Sequence, residues 1–292
     1  MTATLTKPEA PQIQEPRRKP RMSASQAITY CVALLLIGVI LAPVVYMILG
    51  GFRTNSQITV DPSGLPSSWH LENYMNVLKS GVFWQEVLNS TFAAAATTFF
   101  VVAFGVMAAY VLASYEFRGR SVMYAVFAAG LMFPMTVAIT PLYLMVRSLG
   151  LTNSLVGVVV PQVAFALSVT IIILVPFLRA LPPEIEEAAV LDGCSRLGYF
   201  WRIVVPLSKP AIITVGILAF IGSWNSYMLP LFILTSSNKF TLPLGVQAFS
   251  SQYSVDTAKV LAFTTLSMIP ALVFFSLFER RIVGGLTGAV KG

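Results

Sequence analysis

The sequence predicts an all-α integral membrane protein with six transmembrane helices. Three observations carry that prediction. First, 56% of the 292 residues are hydrophobic and 11% charged, with a mean hydropathy of +0.78. Soluble domains run at about 45–50% apolar and about 25% charged. Second, the charges are unevenly spread: the stretches 22–52, 87–115, 121–146, 148–178, 210–238 and 260–278 carry none. Each is near or beyond the ~20 residues a helix needs to cross a bilayer. A segment in lipid must satisfy its own backbone hydrogen bonds, so these spans are expected to be helices. Third, basic residues are asymmetric. With the N-terminus inside, fourteen of the nineteen Lys and Arg fall on the inner side, which predicts cytoplasmic N- and C-termini of a multi-pass cell-membrane protein.

Taken in order, residues 1–22 are rich in Pro, Gln and charge and read as a disordered tail. Its run Arg17-Arg18-Lys19-Pro20-Arg21 reads as an anionic-lipid and topology anchor, with recruitment of a partner as the alternative. The membrane domain is expected over 23–292, with a first span at 26–50. That span is too long for a signal-peptide core, and no small-residue cleavage site follows it. The outer loop, 51–86, has Pro62, Gly64 and Pro66 as breakers. His70 lies there without the Cys, His or carboxylate neighbours a metal site needs. Spans two to four are placed at 87–114, 121–146 and 153–178. Pro134, Pro141, Pro161 and Pro176 either kink spans three and four around a pathway or serve packing alone, while Gly105, Gly130 and Gly157 read as close-packing sites. A charged loop at 180–209 precedes spans five and six, 210–234 and 260–279, and a tail at 280–292. Cys31 and Cys194 have no metal or redox spacing and read as unpaired.

What is missing argues against several functions. Ion-coupled transporters usually carry ionisable groups at membrane depth, and these spans have none. No Gly-x-x-x-x-Gly-Lys-Ser/Thr phosphate loop occurs, and the glycine-rich tail 284–292 lacks that spacing and the helix that should follow. Basic residues scattered along membrane flanks, with no single basic face, argue against nucleic acid. If the chain drives transport, the energy must enter through a cytoplasmic surface.

Residues 180–209 are the only long charged segment between two spans. Pro182-Pro183 suits a helix start, Glu184, Glu186 and Glu187 complement its dipole, and Gly193 suits a C-terminal cap. A helix is thus predicted over 183–192. Ser195 is expected to cap a second one through Arg202, ended at Val205 by Pro206. On residues alone this is either an ordinary amphipathic loop or a docking knob.

The order Glu187-Ala188-Ala189, then Asp192-Gly193, then Ile203 and Pro206 after a nine-residue gap resembles the EAA loop of ABC importer permeases. Val205 stands where Leu is usual. Met132-Phe133-Pro134, the run 150–154, Phe220-x-x-x-Trp224-Asn225, Thr241-Leu242-Pro243-Leu244-Gly245 and the tail after Arg281 are similar to carbohydrate permeases, most of all the six-span subunit of maltose-type transporters. The resemblance covers 26–292. It implies a type I ABC importer permease fold in which Glu187, Ala188, Ala189, Asp192, Gly193, Ile203 and Pro206 form a coupling helix and loop docked on an ATP-binding subunit. It further implies a second contact through Gly285, Thr287, Lys291 and Gly292. Ser226 replaces an acidic residue common in sugar permeases, which puts family-type acidic substrate contacts in doubt.

The implied partners are a second permease, two ATP-binding subunits that carry ATP and Mg, an extracytoplasmic solute-binding protein and membrane lipid. No cofactor, metal or catalytic residue is expected in this chain. Phe220, Trp224, Asn225 and Tyr227 are either an aromatic-amide face for a sugar or helix-packing and interfacial residues. The cargo is expected to be a sugar or oligosaccharide, with a polyol or a glycerol-phosphate compound as alternatives. A secondary transporter, or a membrane enzyme or scaffold, are the other function classes.

Overall fold

The computed structural model describes residues 24–249 and 255–290, and the backbone alone over 278–290. The predicted tail, 1–22, with its basic run, lies outside the described residues, as do Lys291 and Gly292. Residues up to Val45 form one compact unit and those from Tyr46 a second. The first unit's described part belongs to α1 (Ala24–Gly50), whose Leu34, Leu36, Val39 and Ile40 are all exposed, as befits a helix solvated by lipid.

In the second unit, α2 (Asn55–Val60) and α3 (Glu72–Lys79) precede α4 (Gly81–Ser114). Next come α5 (Arg120–Gly130), α6 (Met135–Ser148) and α7 (Leu155–Arg179). The charged loop forms α8 (Pro183–Leu191), α9 (Arg196–Tyr199), a π-helical turn (Phe200–Val204) and α10 (Val205–Leu207). Then follow α11 (Lys209–Trp224), α12 (Met228–Ile233), α13 (Leu242–Gly245) and α14 (Thr257–Val290). Among the described residues four helices are long and apolar enough to cross a membrane, or up to six when each of two bent pairs is one span.

Three predicted elements differ. Span three is broken: α5 and α6 meet at 105°, with Pro134 at the N-cap of α6. Proline disfavours the helical conformation in the residue before it, so the break falls at Phe133. Pro161 and Pro176, by contrast, lie inside α7 without ending it. Span five ends as a helix at Trp224, and α12 follows after three residues. In the outer loop α4 begins at Gly81, not Val87, which brings Glu86 into the helix, 2% exposed and against the backbone of Gly245.

The centre is the α4–α7 pair with α11 laid against both. Close approach explains two of the glycines there: a Cβ on Gly105 would collide with the Thr170 methyl, and one on Gly130 with the Ser168 hydroxyl. Gly157 is tighter still, because its Cβ would meet the backbone carbonyl of Leu151. At the α8 end, the last carbonyls of α4 are capped by arginines. Arg120 donates to Leu112 O at 2.9 Å and Ala113 O at 3.1 Å, and Arg179 to Leu112 O at 3.4 Å.

At the opposite end Asn153, in the left-handed region at φ 50°, accepts from the Thr235 and Ser236 amides and tethers the turn before α7 to the segment after α12. Arg53 is buried there too and donates to the carbonyls of Gln57, Asp61 and Pro62.

Candidate coupling surface and transmembrane cavity

The α8 knob is built from local rules. Pro183 occupies the first turn, where its missing N–H costs nothing, and Glu184 and Glu186 sit at the positive end of the helix dipole. The helix stops because Gly193 adopts φ 74°. Across that turn the Cys194 amide donates to Ala189 O and the Gly193 amide to Val190 O, the paired bonds of a Schellman cap. Ser195 then caps α9 through the Gly198 amide.

The second helix does not end at Val205. It widens into a π turn over Phe200–Val204 and continues through Pro206 to Leu207. Pro206 has no N–H for the Arg202 carbonyl, and its ring would clash with that carbonyl in a regular α turn. One extra residue in the turn removes the clash, and the π-helix occurs mostly as such single turns inside α-helices.

The knob has two faces. Ala189, Tyr199, Phe200 and Val204 are buried in one core with Tyr110 of α4, Leu174 and Leu178 of α7, and Ala211 and Val215 of α11, and Ile203 packs on that core. The other face exposes Glu187, Ala188, Asp192, Gly193 and Pro206, beside Leu191 at 88%, Leu197 at 74% and Trp201 at 61%. Glu187 has no hydrogen bond or ion pair among the described residues. Only Ala189 of the alanine pair packs inward. Gly285 and Thr287 fall in the last turns of α14, where only the backbone is described, so their contacts lie outside the described residues.

The predicted pathway residues are not one surface. Trp224 is 5% exposed, packed with Tyr74, Phe83 and Phe263, and stacked on Phe220 at 5.7 Å. Phe220 in turn stacks on Phe274 at 3.8 Å. Asn225 caps α11 and, with Trp224, borders a cavity shared with α13 and α14. Tyr227 is 39% exposed, its hydroxyl 3.4 Å from the Gln247 amide.

The opposite face of α11 borders another cavity, of about 340 Å³, midway along α7 and beside the α5–α6 break. Its polar centre is Gln162 on α7, 5% exposed. The Gln162 carbonyl accepts from Thr97 on α4 at 3.0 Å and from Ser223 on α11 at 2.6 Å. Sequence reading missed all three. A lone amide in an otherwise apolar span was the available signal, since polar groups at membrane depth are costly and functional.

A protein-family model described as "Binding-protein-dependent transport system inner membrane component" matches residues 101–284. The chain is 33% identical to the diacetylchitobiose uptake system permease protein of Streptomyces coelicolor over 89% of its length and 87% of the relative's. It is 34% identical to the trehalose transport system permease protein of Mycobacterium tuberculosis, covering 93% of this chain and all of that one. A solved bacterial ABC transporter involved in alginate import contains a chain of like fold, with TM-score 0.72 and 24% identity, covering 90% of this chain and 99% of that one.

Proposed function

The chain belongs to the family of binding-protein-dependent transport system inner membrane components, and from that premise we propose how it is powered and what it moves. It is a permease subunit of an importer for a sugar or oligosaccharide, the cargo class of the relatives it matches. Its work is transport, in a membrane that it crosses several times.

In our reading both termini are cytoplasmic, two ATP-binding subunits carry ATP and Mg, and one of them grips the α8 knob. A second permease completes the pathway, and a solute-binding protein delivers cargo at the opposite face. The observation that carries this reading is the two-faced knob: an unpaired Glu187 and exposed Leu191 and Trp201 outside, a core shared with α4, α7 and α11 inside. Closure of the ATP-binding subunits would push one face, and the shared core would carry the push to three helices as a rigid body. No bond in cargo or nucleotide is made or broken by this chain.

The test is co-purification of the tagged chain followed by reconstitution in proteoliposomes. An ATP-binding subunit, a second permease and ATP-dependent sugar uptake are the expected results. Uptake by the purified single chain without ATP would overturn the proposal.

A further inference from the structure

Gln162 is buried among apolar helices, yet only half of its amide is used. The carbonyl is saturated by Thr97 and Ser223, while Nε2 has no hydrogen-bond partner among the described residues. A buried donor without an acceptor is costly and rare, and invites explanation by a ligand or water. The two hydroxyls hold the side chain from both flanking helices, α4 and α11, so the unused donor is fixed in place on a residue that lines the cavity.

The rest of the lining defines what fits. Phe133 and Phe165 offer apolar faces, Ser226 adds a hydroxyl, and none of the described residues that border the space is charged. Its volume of about 340 Å³ lies at the lower end of the roughly 300–1,000 Å³ typical of small-molecule sites. A neutral, polyhydroxylated ring meets those terms. Its oxygens accept from Nε2, its hydroxyls meet Ser226, and its C–H faces lie on the two phenyl rings. An anion would have no counter-charge.

We propose that Gln162, clamped by Thr97 and Ser223, is a sugar-binding residue of this subunit, donating through Nε2 to a hydroxyl or ring oxygen of the passing cargo. The proposal rests on the importer reading and deepens it: this chain itself, and not its partner permease alone, touches the solute.

The test uses the reconstituted complex with its solute-binding protein and labelled trehalose, diacetylchitobiose and an arabino-oligosaccharide as probes. For whichever probe the wild type carries, Gln162→Leu should lower uptake at saturating binding protein about tenfold, the effect of losing one well-placed hydrogen bond. Gln162→Asn should recover part of it. Independently, Ser226→Cys in a background with Cys31→Ser and Cys194→Ser should react with a water-soluble thiol reagent and be protected by the carried sugar. Unchanged uptake by an assembled Gln162→Leu complex would overturn the proposal and leave the importer reading intact, as would labelling of Ser226→Cys that sugar does not slow. If Gln162→Leu does not assemble, the protection measurement decides alone. Transport of none of the probes by the wild type, with ions or amino acids carried instead, would remove the sugar reading and this one with it.

Discussion

The Cys194 amide donates to the Ala189 carbonyl at 2.9 Å, closing the chain reversal that ends α8. The bond forms because Gly193 between them sits at φ 74°, where an L side chain pays roughly 1–2 kcal/mol. Nothing lies within 4 Å of a Cβ there, so any penalty is one of backbone and not of space. Gly193→Val should therefore disorder the knob and abolish uptake while the protein stays in the membrane. Gly193→Asn, tolerated in the left-handed region, should retain much of it. Uptake assays beside immunoblots of membranes check both.

Glu187 is exposed and unpaired, so its replacement should leave stability alone. Glu187→Lys is expected to abolish ATP-driven uptake and loosen the ATP-binding subunit, with a melting temperature unchanged within about 1 °C, since surface changes stay within about 0.5 kcal/mol. Co-purification and a thermal melt in detergent separate the two effects. Normal uptake by the assembled Glu187→Lys complex would refute the docking role.

Arg120 caps two carbonyls at the end of α4. Arg120→Ala should destabilise that end by about 1.5–3 kcal/mol, the range for hydrogen bonds to a charged group. Hydrogen exchange is expected to rise first over residues 109–114.

Two glycines should respond oppositely to alanine. Gly157→Ala drives a methyl into the Leu151 carbonyl, with Val146 3.1 Å away, and should cost about 1–3 kcal/mol. Gly216→Ala meets only Val102 at 3.5 Å and Thr98 at 3.7 Å, ordinary contact, and should be neutral or stabilising by up to ~1 kcal/mol. Thermal melts of the two variants give the comparison.

Asp256, just before α14, works against its own partial burial. The Lys259 ammonium at 2.7 Å, the Lys259 amide and the Asn55 side chain outweigh that burial and hold its carboxyl below its ordinary 3.8. A depressed folded value means the carboxylate adds stability above the unfolded value and loses it as pH falls through the folded one. Asp256→Asn should thus be less stable than the wild type at pH 6, and the difference should shrink as pH falls below 3.8 and vanish only once pH is below the depressed folded value. A difference that persists in acid would argue against the ion pair.

Much was legible in the chain because it is local. Proline at 183, three glutamates and a glycine at 193 define α8 without reference to anything distant, and helix capping depends on neighbours only. Uncharged length pointed to long apolar helices for the same reason, since the cost of a charge in lipid is paid residue by residue. The break at Phe133-Pro134 and the passage of the chain through Pro206 were not legible, because both prolines follow the same local rule and packing chose opposite outcomes.

What the sequence determined by itself was therefore the helical class, the local turn that ends α8 and the family. What only the tertiary structure decided was which side of each helix meets which neighbour. Trp224 and Ser223 are adjacent in the chain, yet one fills the core toward α14 and the other turns to Gln162 across the bundle. Successive helical residues point about 100° apart. In a helix apolar nearly all round, hydropathy cannot say which direction faces a cavity. That is set by the shapes of α4 and α7, whose Thr97 and Gln162 lie 65 positions apart in sequence and 3.0 Å apart in space.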